Sequence, residues 1–164
     1  MNGYLVDSNI LITSNRRYRQ QYFPVVWHFF LQTPHFYMLD RVYNELTSKN
    51  DDLKNWTKQN YQNKIIKADD CIAEYTQITQ YLLASNLWTA AGYQEWTAKY
   101  EKADPWLIAC AMKNSYTILT DERSTGPNGN KSDNEPKIPF VANEFNVPTM
   151  NFWTFLAENN FVAN

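Results

Sequence analysis

The sequence predicts an α/β protein: three layers, a mostly parallel central sheet with helices on both faces, and a helical insertion. Three observations carry this expectation. The apolar run Tyr4-Leu5-Val6 ends abruptly at Asp7-Ser8-Asn9 before a second apolar run begins, and a continuous apolar run bounded by polar residues reads as a fully buried strand. The stretch Tyr116 to Thr120 is rich in β-branched and aromatic residues and ends in Asp121-Glu122, a second strand closed by acid. Helix-spaced segments alternate with these short runs, as in βαβ units.

The totals set the frame. A chain of 164 residues, 44% hydrophobic, is long enough for one domain with a real core, here taken as 1–164. Aromatic residues make up 16%, so rings are expected to build that core. A net charge of -2 and a pI near 5.7 argue against a global positive field for polyanions, which leaves a local patch for any such contact. The two cysteines, Cys71 and Cys110, lie in apolar helical contexts without a further Cys or His at ligand spacing. They read as packed thiols in a reducing compartment rather than a disulfide or a metal site. No signal peptide is expected, because Asp7 interrupts the first apolar run and no basic region precedes it. The run Phe23 to Leu31 contains Pro24 and His28 and is too short to span a bilayer. A soluble, cytoplasmic protein is the expectation.

Along the chain, Asp7, Ser8 and Asn9 stand where the first strand stops and a helix starts. They serve as helix caps or as functional groups at the carboxyl edge of an open sheet, where ligands bind. Ile10 to Tyr18 continues as the first helix. Arg16, Arg17 and Arg19 near its end suit the helix dipole, and as the densest basic cluster they are the candidates for phosphate contacts. Tyr22 to Gln32 reads as a second helix, with Phe23, Val26, Trp27 and Phe30 at helical spacing and His28 as a packing or surface residue. Thr33-Pro34 breaks it, and Phe36 to Leu39 is the second strand. Asp40 has the look of an N-cap for a helix over Arg41 to Thr47. On that helix Glu45 either pairs with Arg41 at i,i+4 or leans back over the sheet edge.

Residues 50–102 form the helical insertion. It is entered through Asp51-Asp52, carries an amphipathic stripe from Ala68 to Leu83, and is expected to break at Gly92. Tyr93, Trp96 and Tyr100 pack the insertion against the sheet or offer a stacking surface for unpaired bases. Asp104-Pro105 is a well-formed helix start, and the helix that follows is apolar on almost every side, hence buried. Residues 123–137, polar and turn-forming throughout, read as a long flexible loop. A short helix from Ile138 to Phe145, a strand at Val147 to Met150 and a helix after Asn151 complete the chain.

Four acidic positions stand out: Asp7, Glu45, Asp104 and the pair Asp121-Glu122. Each has a structural explanation alone; in an α/β sheet they converge on one edge. Two carboxylates about 4 Å apart repel by roughly 4 kcal/mol at an effective dielectric near 20, against a folding stability of about 5–15 kcal/mol. A cluster therefore needs protonation or a divalent cation, and oxygen ligands without Cys or His suit Mg²⁺ or Mn²⁺.

The arrangement resembles the PIN domain, a family of metal-dependent ribonucleases. The resemblance rests on Val6-Asp7-Ser8-Asn9, on Tyr43-Asn44-Glu45-Leu46, on Ala103-Asp104-Pro105-Trp106-Leu107-Ile108-Ala109 and on Leu119-Thr120-Asp121-Glu122, in order and over nearly the whole chain. The Asp104 stretch followed by a strand ending in Thr and acids is the most specific part. It is similar to a PIN-like, mostly bacterial subgroup with an Ala-Asp-Pro-Trp helix. The resemblance implies an endoribonuclease in which Asp7, Glu45, Asp104 and Asp121 or Glu122 hold one or two Mg²⁺ or Mn²⁺ ions. Asn9 and Thr120 would orient water or a ligand, and Arg16, Arg17 or Arg19 would hold the RNA. It also implies a toxin neutralised by an antitoxin protein, and a homodimer. The family usually places its fourth acid two residues after the Thr, at Glu122, while Asp121 occupies the intervening position. Two other readings stand beside it. One is a phosphatase with Asp7 as nucleophile, although Asn9 stands where such enzymes carry a second Asp. The other is a non-catalytic protein-binding module that uses the aromatic helices as a partner surface.

Overall fold

The computed structural model describes residues 3–164. Its centre is a five-stranded sheet of β1 (Tyr4–Val6), β2 (Phe36–Leu39), β3 (Ile65–Ile66), β4 (Thr117–Leu119) and β5 (Thr149–Met150), in the order β3-β2-β1-β4-β5. Every pairing is parallel. The register sets Tyr4 beside Phe36 and Thr117, and Val6 beside Met38 and Leu119. β1 and β4 end level and β2 runs one residue further, so Asp7, Asp40 and Thr120 leave the sheet at one edge. The chain builds β1, β2 and β3 outward, then returns to place β4 on the other side of β1. Ligands of open α/β sheets bind at such a reversal of strand order.

Helices cover both faces. One layer contains α1 (Ser8–Arg17), α2 (Pro24–Gln32), α3 (Asp40–Thr47), α4 (Asp52–Tyr61) and the final helix α9 (Phe152–Glu158). Its core is aromatic, as the composition requires: Trp27 meets Trp56 edge-on at 4.9 Å between ring centres, and Phe30 stacks on Phe155 at 6.2 Å. The other layer contains α5 (Ile72–Ala84), α6 (Ala90–Thr97), α7 (Ala103–Asn114) and α8 (Ile138–Glu144), with α5 and α8 packed on α7. Pro105 through Ala111 is buried without a gap, because α7 is covered on all sides. A helix apolar all round has no other stable place.

Several local expectations change. The two-residue strand β3 lies inside the stretch read as helical. It is too short for a period-two signal and is defined by pairing with β2. Gly92 does not break a helix: it sits in the first turn of α6, whose cap is Thr89. A side chain there would collide with the carbonyl of Ser132, so the glycine admits the 123–137 segment against α6. Arg41 does not pair with Glu45. Its guanidinium bonds Asp40 at 2.8 Å and Asp69 at 3.0 Å and lies over the rings of Tyr100 and Trp106. The cysteines are not separate thiols: Cys71 and Cys110, both buried, form a disulfide between the 3-10 turn at Ala68–Cys71 and α7. Thirty-nine residues separate them, too far for sequence spacing to indicate the contact. No helix among the described residues is long and apolar enough to cross a membrane.

Candidate active site

Asp7 is the first residue after β1, and it is buried, 5% exposed. A strand that ends one residue before a buried acid leaves that acid little water, so its environment is built from neighbours. Thr120, the first residue after β4, donates its hydroxyl to Asp7 Oδ2 at 2.7 Å. Asn9 in turn donates its amide to Thr120 Oγ1 at 3.3 Å, and its own Oδ1 accepts the backbone N–H of Asp121. The ends of two adjacent parallel strands are thereby laced together by three polar side chains. Asp7 is not a side-chain cap of α1.

The same edge opens into a cleft of about 530 Å³ lined by Asp7, Glu45, Asp104 and Glu122 and by two further acids, Glu101 and Glu135. Glu45 reaches it from α3 and Asp104 from the first turn of α7, while Glu122 comes from the segment after β4. Oxygens of Asp104, Glu122 and Glu135 lie within 4.8 Å of one another. At that spacing each pair of full charges repels by roughly 3–4 kcal/mol at an effective dielectric near 20. The molecule answers this in two ways. Burial pushes Asp7 from 3.8 up to about 7, with Asp104, Glu122 and Glu45 adding to the rise and the Thr120 hydroxyl opposing it. Burial also raises Asp104 and Glu122. On the opposite wall Lys102 Nζ lies 3.2 Å from Asp104 Oδ2 and 2.9 Å from Glu135 Oε2, and Lys137 Nζ lies 3.2 Å from Glu135 Oε1. Burial alone would raise Glu135, but the two lysines outweigh it and hold its carboxyl below the usual range.

Asp121 and Glu122, adjacent in sequence, go separate ways. Asp121 is exposed and its Oδ1 accepts the N–H of Phe152 at the start of α9. Glu122 faces the cleft, and its Oε2 accepts the N–H of Ile138 at 2.8 Å. The arginine cluster is also divided. Arg16 lines a neighbouring depression that shares Glu45. Arg17 is the last residue of α1, about 15 Å along that helix from the cleft by helical rise, and Arg19 lies beyond it; both are exposed. The cations that do line the cleft are Arg41, Lys99 and Lys102.

Five charged residues of the cleft lie outside the sequence expectations for the site: Arg41, Lys99, Glu101, Lys102 and Glu135. Lys102 stands directly before the Ala103-Asp104 motif, and a cation two residues from a candidate ligand was an available signal. For Arg41 the i,i+4 spacing offers Glu45 as one surface partner, and nothing local points to Asp40 and Asp69 instead. Glu135 sits in a Pro- and Asn-rich stretch, Asp133-Asn134-Glu135-Pro136, with no periodicity to place it. The segment reaches the cleft because Ser132 exchanges backbone hydrogen bonds with Leu87 and Thr89, a tertiary fact. A donor set of carboxylates without Cys or His in the cleft suits a hard divalent ion such as Mg²⁺ or Mn²⁺.

Comparison with known proteins agrees with this architecture. The solved structure described as FitAB bound to the IR36 DNA fragment is similar with a TM-score of 0.53 at 17% identity, over 92% of this chain and 95% of that one. FitAcB from Neisseria gonorrhoeae is similar with a TM-score of 0.53 at 22% identity, over 92% of this chain and 98% of that one. At these identities the likeness is one of fold, which is PIN-like. No curated protein matches the chain. A family model does match, from residue 4 to residue 163, and the chain therefore belongs to the family described as "Domain of unknown function (DUF4411)".

Proposed function

We propose that the protein is a divalent-metal-dependent endoribonuclease that hydrolyses RNA phosphodiester bonds. The observation that supports it is the meeting of Asp7, Glu45, Asp104 and Glu122, spread over more than a hundred residues, in one cleft at the carboxyl edge of a PIN-like sheet. Asp104, Glu122 and Glu135, whose oxygens lie close enough to share an ion, together with Asp7 and Glu45 in the same cleft, would hold one or two Mg²⁺ or Mn²⁺ ions. When bound, such an ion lowers the pKa of a water and stabilises charge on the phosphate. The chain's own contribution is positional. Thr120 holds Oδ2 of Asp7, Asn9 holds Thr120, and hydrogen bonds of this kind set the orientation and basicity of a ligand. Of the adjacent acids, we assign the ligand role to Glu122, since the Asp121 carboxylate is engaged with α9. Arg41, Lys99 and Lys102 are placed to meet phosphates, with Arg16 the nearest of the first-helix arginines. The phosphatase reading asks Asp7 to attack as a nucleophile, and its burial and its bond to Thr120 disfavour that.

By the same family resemblance, the protein acts as the toxin of a toxin–antitoxin pair in the cytoplasm, with a protein antitoxin as partner and a homodimer as its assembly. The FitAB and FitAcB structures supply the fold comparison for that context.

The test is cleavage of a fluorogenic single-stranded RNA by the purified protein with Mn²⁺, Mg²⁺ or EDTA. Cleavage should require the metal and be lost in Asp7→Asn and Asp104→Asn, both still folded by circular dichroism. Full activity in both variants would falsify the proposal.

A further inference from the structure

Lys102 precedes α7, and its ammonium group is bound by two acids of the cleft at once, Asp104 at 3.2 Å and Glu135 at 2.9 Å. Asp104 and Glu135, together with Glu122, are the three residues whose oxygens lie close enough to share a metal ion. The lysine and a divalent ion therefore draw on the same carboxylates. A lysine is a compact point charge on a flexible stem, and about a third of this side chain is exposed. It can swing away without moving the backbone. Lys137 differs, because among the described residues it pairs with Glu135 alone, at 3.2 Å.

We propose that Lys102 is a resident cation of the cleft, held by Asp104 and Glu135, which an incoming divalent ion displaces. Metal loading is then an exchange of cations that frees an ammonium group beside the place where a phosphate binds. The inference rests on the metal-dependent reading above and deepens it. Before loading, the lysine holds two of the three crowded acids, Asp104 and Glu135, together; during loading, it competes. Removing it therefore acts in opposite directions on two measurable quantities: the metal-free fold weakens and the metal binds more tightly. A lysine that merely supports the fold moves only the first.

The experiment is a Mn²⁺ titration of the full chain, read from the paramagnetic resonance of the free ion, with thermal melts in EDTA alongside. Lys102→Met should bind Mn²⁺ about tenfold more tightly than the wild type, within the usual range of coupling between sites, and melt lower in EDTA. Lys137→Met, which removes a charge paired directly with Glu135 and acting on Asp104 and Glu122 only at a distance, should change Mn²⁺ affinity by less than about threefold on the same scale. In the unsubstituted protein the Lys102 side-chain Cε resonance should shift as Mg²⁺ is added, a readout available even if Lys102→Met does not fold. Equal tightening by both variants, no tightening by Lys102→Met, or a Lys102 resonance unmoved at saturating Mg²⁺ overturns the exchange while leaving metal binding intact. If the unsubstituted protein shows no saturable Mn²⁺ binding, the metal-dependent reading falls with it.

Discussion

The two walls of the cleft face the same electrostatic problem and meet it differently. On the strand wall Asp7 is buried, laced to Thr120 and Asn9, and relieved of charge by a proton that burial and neighbouring acids hold up to about pH 7. On the helix wall Asp104 and Glu135 share the Lys102 ammonium group. The difference lies in access. Asp7 is buried and forms no ion pair among the described residues, so protonation is its cheapest relief, whereas Asp104 sits two residues from a lysine that reaches it. The strand wall should therefore respond to pH, and the helix wall to competing cations.

The largest effect expected is on that first response. The Asp7 carboxyl has its pKa raised by folding, so the folded protein keeps a proton that the unfolded chain has already lost. The stabilisation is complete below the unfolded value of about 3.8 and declines until about 7. Between pH 5 and pH 8 the metal-free protein should lose on the order of 3 kcal/mol through this group. Urea unfolding in EDTA across that range reads the loss directly. Asp7→Asn should flatten the slope; an unchanged slope would show that the strand wall is not the titrating one. Mn²⁺ affinity should run the other way, rising with pH, because binding expels the proton.

The second prediction separates the acids that follow β4. Glu122→Gln should weaken Mn²⁺ binding about tenfold or more, within the range for perturbing a metal's surroundings. Asp121→Ala should leave Mn²⁺ affinity alone and cost about 1 kcal/mol of stability, the worth of the bond to Phe152. Calorimetric titration and urea midpoints on both variants check the pair, and the reverse pattern would move the assignment to Asp121.

A third change tests how the strand wall is tuned. Thr120→Val removes the hydroxyl that opposes the rise of Asp7. Asp7 should then hold its proton to higher pH, and the rise of Mn²⁺ affinity with pH should move the same way, with about 1 kcal/mol lost in stability. The smallest effects belong outside the walls. Lys99→Ala should raise KM for RNA a few-fold (roughly threefold) with kcat retained, as for the loss of a phosphate contact. Arg17→Ala at the far end of α1 should leave both within about twofold. A larger effect from Arg17 would shift the RNA path onto α1.

Much of the architecture was legible in the amino acids. Tyr4 to Val6 and Tyr116 to Thr120 announce buried strands through apolar runs stopped by acids, and Asp104-Pro105 announces the start of α7, although the helix begins two residues earlier than that pair indicates, with Lys102 at the cap position and Asp104 inside the first turn. These signals are local and strong because strand ends and helix starts depend on a few neighbouring residues. The strand β3 was not legible, since two residues have no period. Nor was the Cys71–Cys110 disulfide, since nothing in the spacing of two helical cysteines says that their helices touch. Gly92, read as a break, turned out to be a contact, because glycine marks permissiveness and not its purpose.

The site divides along the same line. By itself the sequence determined that acids stand at the ends of β1 and β4, at the mouth of α7 and on α3, because short-range physics ends a buried strand in polar residues and starts a helix with a carboxylate. Only the tertiary structure decided that Glu122 turns into the cleft and Asp121 away, that Glu135 joins from a polar loop, and that Lys102 reaches Asp104 and Glu135 together. Those choices follow from which backbone N–H or ammonium group lies within about 3 Å of each carboxylate, and that distance is set by the packing of segments far apart along the chain.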